Sequence, residues 1–324
     1  MARITIEDVA ARAGVSPTTV SHVFSGRRPV SEATRDHVRQ VAVQLGYRAN
    51  AVASSLRTQR TNTVMIVLPD LTNPFYPVFA RGVQDTLRAS GYHTLIGNTD
   101  SREAEERALL EDAMSRRVDG VVFAGFWVAP EDLLVLTDAG VAVANLGQGT
   151  GPVDSVLSGD IVAVGEMTAY LARTYGSEIA LIDGPENTMV AQARADAFLR
   201  AAPGRHEMVS EEFTREGGRR GMRRLLDGPH PPRAVFCAND LLALGALDVA
   251  RERGLDVPGD VAVAGYDDIE AASLVQPSLT TVRNRSYDLG VASGELLLAR
   301  MTGEYDGDSR TVVIQAEMVI RESA

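Results

Sequence analysis

The chain has 324 residues, 45% of them hydrophobic, and a formal net charge of −11. That is long enough for two or three domains and too apolar for a mainly disordered protein. No run of about 18 or more apolar residues marks a membrane span, and the opening stretch lacks the apolar core of a signal peptide; with one cysteine, Cys237, a cytoplasmic protein without internal disulfides is expected.

The charge is unevenly placed. Residues 1–60 hold nine arginines against Glu7, Asp8, Glu32 and Asp36, a local balance of +5, and the remainder carries −16. A small basic head on an acidic body is the distribution of a DNA-binding domain joined to a soluble regulatory body. All 32 basic residues are arginine.

Thr5 and Asp8 have the spacing of a capping box, opening a helix with Ile6, Val9, Ala10 and Ala13 on one face. Gly14-Val15-Ser16 then makes a tight turn. Ser16 is a preferred N-cap and Pro17 suits a first helical position, so a second helix starts at Pro17. Val20 with Val23 or Phe24 can face a core, which turns Thr18, Ser21, His22 and Ser25 outward. A third helix follows Ser31, with Val38, Val41, Ala42 and Leu45 apolar, and ends at Gly46. Three short helices with a glycine turn between the first two form a helix-turn-helix, whose second helix enters the major groove.

Asn50–Arg57 makes about two turns of helix. Helices shorter than roughly 12–15 residues are marginal alone in water, so this segment folds only where something holds it. A leucine wedged between base steps hides apolar surface and can supply that support.

Beyond Thr61 the pattern becomes short apolar runs alternating with amphipathic stretches. Val64–Leu68, Thr94–Ile96, Val121–Phe123, Val141–Ala144, Ile179–Ile182, Ala234–Cys237 and Val261–Ala264 read as buried strands, with helices such as Val78–Ser90, Glu103–Arg117 and Leu241–Arg253 between them. This predicts two doubly wound parallel sheets with a cleft between them. Ligands bind such sheets at the carboxyl ends of their strands. Pro69-Asp70, Gly97-Asn98, Gly125-Phe126-Trp127, Gly184-Pro185, Asn239-Asp240 and Gly265-Tyr-Asp-Asp268 are expected there.

The chain resembles the LacI/GalR family of bacterial regulators. In the head the resemblance is carried by Ile4-Thr-Ile-Glu-Asp-Val-Ala10, Ala13-Gly-Val-Ser16, Thr19-Val-Ser21, Leu45-Gly-Tyr47 and Asn50-Ala-Val-Ala-Ser-Ser-Leu-Arg57. It continues in the body through Asn73-Pro-Phe-Tyr76, Ala238-Asn-Asp240, Gly265-Tyr-Asp-Asp268, Leu279-Thr-Thr-Val282 and Met318-Val-Ile-Arg-Glu-Ser323. The family's architecture implies a helix-turn-helix domain over 1–46, a hinge helix and linker over 47–61, and a periplasmic-binding-protein-like effector and dimerisation domain over 62–324. Its N-subdomain is expected at about 62–158 and 284–316 and its C-subdomain at about 160–281 and 318–324, with three chain crossings between them.

The resemblance implies a homodimeric repressor released from a palindromic double-stranded DNA operator by a small-molecule effector, a sugar or sugar derivative. Pro17, Thr18 and His22 are the expected major-groove contacts; Ser16, Thr19, Ser21, Ser31, Thr34, Tyr47 and Asn50 the phosphate contacts; Ala53 and Leu56 the minor-groove contacts of the hinge. Arg194 and Asp267 match the family's effector-binding arginine and aspartate, and as donor and acceptor they can divide the hydroxyls of a polyol. Phe75, Tyr76, Phe126 and Phe213 can pack a sugar face or serve as plain core. Asn239 can bond a hydroxyl or cap the following helix, Asp267 can be a turn residue, and Arg194 can form a surface ion pair.

Several positions depart from the family pattern. His22 stands where arginine is usual, Ala49 for a common proline, Ser54 for a common arginine, Ala197 for glycine, and Gly147-Gln148 where a charged residue often lines the pocket. A purine-like co-repressor is the alternative effector. An α/β enzyme or a non-regulatory sugar-binding protein is the rival class, but no phosphate-cradling glycine loop, nucleophile elbow or metal-spaced histidine pair is present. Neither metal nor cofactor is expected, and Cys237 reads as core.

Overall fold

The structure is a computed structural model describing residues 4–25, 28–47, 60–147, 151–204 and 206–324. The chain forms two compact units, Met1–Thr61 and Asn62–Ala324.

The first unit contains α1 (Ile6–Ala13), α2 (Pro17–Ser25) and α3 (Glu32–Leu45). The Thr5–Asp8 capping box opens α1, and Gly14 closes it in the left-handed conformation (φ 67°). The Ser16 hydroxyl accepts the Thr19 N–H at 3.1 Å, and Ser31 caps α3 through the Thr34 N–H. Helices of this length do not persist alone. They are held by a shared core in which Val9, Val20 and Val38 are wholly buried, each worth about 1.5–2 kcal/mol. Between the two candidates on α2, Val23 faces this core, and Phe24 is 41% exposed with its ring tilted against Tyr47 at 5.6 Å.

The second unit is built on two parallel sheets. Strands β1 (Thr63–Leu68), β2 (His93–Asn98), β3 (Gly120–Phe123), β4 (Ala142–Leu146), β5 (Asp154–Ser158) and β11 (Thr311–Ile314) form a six-stranded sheet in the order β11-β5-β4-β3-β1-β2. Strands β6 (Ile179–Asp183), β7 (His206–Ser210), β8 (Ala234–Cys237) and β9 (Ala262–Ala264) form the other, ordered β7-β6-β8-β9. The antiparallel pair β10 (Thr281–Arg283) and β12 (Glu317–Val319) belongs to neither. The chain passes from the first sheet to the second after Ser158, returns after β10 and leaves again after β11.

Helices cover both faces of each sheet. α4 (Phe75–Arg88) and α12 (Ser286–Thr302) pack on Val64, Ile66 and Leu68 of β1, while α5 (Glu103–Ser115) and α6 (Leu134–Asp138) cover Met65 and Val67 on the other side. On the second sheet, α7 (Asp160–Tyr175) and α8 (Met189–Ala201) cover Leu181 and Phe236. Opposite them, α9 (Arg215–Asp227) and α10 (Asp240–Glu252) cover Ile182 and Cys237. Burial pushes the Cys237 thiol up, which keeps it protonated and inert.

Two expectations about this unit are corrected. Thr94–Ile96 is a strand but not a buried one: β2 lies at the sheet edge, where Leu95 and Ile96 are 42% and 50% exposed. The helix expected from Val78 starts at Phe75. Pro77 falls in its first turn, where a missing N–H breaks no intrahelical bond.

Candidate functional site

A cavity of about 490 Å³ opens between the carboxyl ends of the two sheets. From the six-stranded side it is lined by Asp70 after β1, Asp100 and Ser101 after β2, Gly125–Trp127 after β3 and Ser158 of β5. From the other side come Pro185 after β6, Phe213 after β7, Asn239 after β8 and Asp267 after β9. Gly97 and Asn98 are not in this lining: they still belong to β2, and the next turn reaches the cavity instead.

All seven expected effector residues, Phe75, Tyr76, Phe126, Arg194, Phe213, Asn239 and Asp267, meet on this cavity. Four are aromatic and run in series. Phe75 meets Tyr76 edge-on at 5.1 Å, Tyr76 meets Phe126 at 6.5 Å, and Phe126 meets Phe213 at 5.6 Å. The last contact joins a loop of the six-stranded sheet to a loop of the four-stranded one. Burial pushes the Tyr76 phenol up, so it stays a neutral donor and acceptor.

Arg194 forms no surface ion pair. It is buried on α8, donates through Nε and Nη2 to Asp160 Oδ2 at 3.2 and 3.1 Å and through Nη1 to the Ala238 carbonyl at 2.6 Å, and lies 4.0 Å over the Tyr266 ring. Burial raises the Asp160 carboxyl, but Arg194 and the neighbouring Ser158 and Tyr266 hydroxyls outweigh it and hold the group below the ordinary range. The Tyr266 hydroxyl donates to Asp160 Oδ1 at 2.6 Å, and Ser158 donates to Asn284 Oδ1 at 2.8 Å. Asn284 in turn donates to Asp267 Oδ1 at 3.2 Å. This chain of bonds joins β5, α7, α8 and the loop after β9, tying the two sheets together where the chain crosses between them.

Asp267 is half-buried at φ 113°, and Asp268 follows at φ 55°. Such values in non-glycine residues persist only where the surroundings enforce them. Here Asp268 is gripped by Arg283 and Arg321 at 2.7 and 2.6 Å, while Asp240, buried beneath, accepts the Ile269 N–H and the Thr281 hydroxyl. Asp267 is thus a turn residue and a cavity residue at once, and burial raises its carboxyl to about 7. Asn239 likewise does two things: its Oδ1 caps α10 through the Leu242 N–H at 2.8 Å while the residue lines the cavity.

Asp160 and Asn284 also line the cavity, beyond the expected residues. Nothing local in the sequence around Asp160 shows that it faces an arginine 34 residues away.

In the head, Ser16, Pro17 and Thr18 are exposed at the start of α2, with Thr19, Ser21 and His22 half-buried behind them. Ser31 and Thr34 occupy the equivalent place on α3, their hydroxyls 2.7 Å apart. Two helix N-termini therefore present hydroxyls and backbone N–H groups to solvent, an arrangement suited to phosphate. Tyr47 is half-buried against Phe24. Asn50, Ala53 and Leu56 of the expected hinge lie outside the described residues.

Residues 5–50 match the family described as "Bacterial regulatory proteins, lacI family", and residues 169–324 match a periplasmic binding protein-like domain. The HTH-type transcriptional repressor CytR of Escherichia coli K12 is 30% identical over 98% of this chain and 96% of its own length. The chain belongs to the LacI family. Other LacI-type relatives are catabolite control protein A of Priestia megaterium, 32% identical over 99% of both chains, and the ribose operon repressor of E. coli K12, 34% identical over 92% of this chain and 93% of its own. Among solved structures, a CelR–cellobiose complex is 32% identical with a TM-score of 0.74, covering 99% of this chain and all of that one. The lac repressor dimer bound to operator superimposes with a TM-score of 0.88 over 99% of both chains at 24% identity. That last likeness is one of fold. Among the described residues no helix is long and apolar enough to cross a membrane.

Proposed function

We propose that the chain is a cytoplasmic, homodimeric transcriptional repressor that binds a palindromic operator and is released by a small effector in the body cavity. It acts by binding and not as an enzyme, in line with its relatives, which are named as regulators. The observation that carries this reading is the exposed start of α2 in a helix-turn-helix unit, joined in one chain to a cavity that converges polar and aromatic groups. Pro17, Thr18 and His22 read bases, and Ser16, Thr19, Ser21, Ser31, Thr34, Tyr47 and Asn50 hold phosphates. His22 offers one hydrogen bond where arginine would offer two to a guanine, so the operator differs from the family's usual sequence there.

The cavity favours an uncharged polyol such as a sugar. Its only lining cation, among the described residues, is Arg194, already engaged by Asp160, while Asp70, Asp100, Glu212 and Asp267 are also in the lining. Anionic ligands meet repulsion there, and hydroxyl groups find acceptors. The aromatic series also suits a flat nucleobase, which keeps a nucleoside or purine-like effector as the second reading. Ligand binding is coupled to the hinge by a free energy of about 1–3 kcal/mol.

The decisive experiment pairs operator selection from random DNA with thermal-shift screening of sugars, polyols and nucleosides. A selected palindrome whose binding weakens with a hit is the expected result; a protein that enriches no sequence is not a repressor. Asp267→Ala should abolish the response to that hit and leave operator binding intact, and an unchanged response would remove Asp267 from the site.

A further inference from the structure

Glu106 lies in an acidic run at the start of α5, Glu103-Ala-Glu-Glu106. In the structure it is wholly buried. Its carboxylate accepts three successive backbone N–H groups: Phe126 on Oε1 at 2.7 Å, and Trp127 and Val128 on Oε2, both at 3.0 Å. Successive amides turned into one concavity make an anion-binding nest, and here the chain's own carboxylate fills it. Two further features are fitted to this arrangement. A Cβ on Gly125 would stand 2.6 Å from the Glu106 carboxylate and 2.3 Å from the Phe123 ring, so only glycine lets the loop close over the acid. The Trp127 indole N–H donates to the Ser101 carbonyl at 2.8 Å, in a turn where Asp100 and Ser101 both have positive φ.

The other side of this loop is the cavity wall. Phe126 and Trp127 line it, and Phe126 makes the contact with Phe213 on the opposite sheet. We propose that Glu106 is the positioning residue of the effector site: by filling the amide nest of Phe126–Val128 it fixes the aromatic wall against which the ligand packs and the contact across the cleft. This rests on the cavity being the effector site. Glutamine at this position has one oxygen in place of two, so it can satisfy Trp127 and Val128 only by turning its amide donor towards the Phe126 N–H, or the reverse.

The test is made on the full chain well below its melting temperature. Trp127 is the sole tryptophan, so acrylamide quenching reads this loop alone, and hydrogen exchange reads the three amides. In Glu106→Gln the amides of Phe126–Val128 should exchange about ten-fold faster, the factor that one lost charge-assisted bond implies. Trp127 should become more quenchable while β6 and β8 exchange as in the parent. Gly125→Ala, with the acid intact, should give the same local signature. Exchange and quenching equal to the parent in both variants would overturn the proposal, as would acceleration spread evenly into β6 and β8, the mark of a merely stabilising residue. No readout uses a ligand, so a negative result removes the role of Glu106 and leaves the effector reading to its own titration.

Discussion

The buried carboxylates of the second unit do not all ionise alike. Asp183, at the end of β6, accepts one hydrogen bond, from the Gly184 N–H at 2.8 Å, and burial raises it from 3.8 to about 7. In the unfolded chain it ionises near 3.8, so between about pH 4 and 7 the folded state binds the extra proton, and stability falls as pH rises through that window. Asp183→Asn keeps an acceptor for Gly184 and removes the titration. The variant should therefore gain stability over the parent as pH rises from 5 to 8, measured as the urea midpoint; a difference independent of pH would mean that Asp183 is already ionised at pH 5. At this scale the sequence was informative where a motif or a strand end stood behind a residue. Arg194 and Asp267 were legible for that reason. Asp160 and Asn284 were not, because their partners are supplied by other elements and leave no local pattern.

Elements were legible where they are apolar throughout. β1, β6 and β8 are buried along nearly their whole length and were readable as continuous runs. β5 was not, since it begins with Asp154 and Ser155, polar residues in the interior of a sheet. Asp154 is tolerated there because Arg300 and Arg310 meet it at 2.7 and 2.6 Å, as a buried charge requires. β7 and β11 lie at sheet edges and carry mixed side chains. Helix crossings were also hidden. α4 and α12 approach so closely that a Cβ on Gly82 would fall 2.2 Å from the Tyr287 carbonyl oxygen, and one on Gly290 2.1 Å from that of Phe79. Backbone atoms cannot swing aside as a side chain would. Gly82→Ala and Gly290→Ala should each cost about 1–3 kcal/mol by overpacking, read as a lowered denaturation midpoint. Retention of the parent midpoint by either variant would show that the helices can separate without loss.

On the scale of the whole molecule, a chain of net charge −11 binds DNA only if its positive charge is concentrated, and residues 1–60 carry the excess of +5. Phosphate contacts release counterions, so operator affinity should fall steeply with salt, by about 10³-fold or more between roughly 50 and 200 mM for six or more contacts. An apolar wedge contributes differently. If, as proposed, Leu56 enters the minor groove, it would remove apolar surface from water at any ionic strength, worth about 1.5–3 kcal/mol per hinge. Leu56→Ala should therefore weaken operator binding by about ten-fold or more at every salt concentration and leave the slope of log affinity against log salt unchanged. Effector affinity, which the proposed function places in the cavity between the sheets, should stay at the parent value. Fluorescence anisotropy over a salt series separates the two contributions. Parallel lines displaced downward are expected, and a line of altered slope, or one superimposed on the parent, would show that the hinge holds the backbone instead of entering the groove.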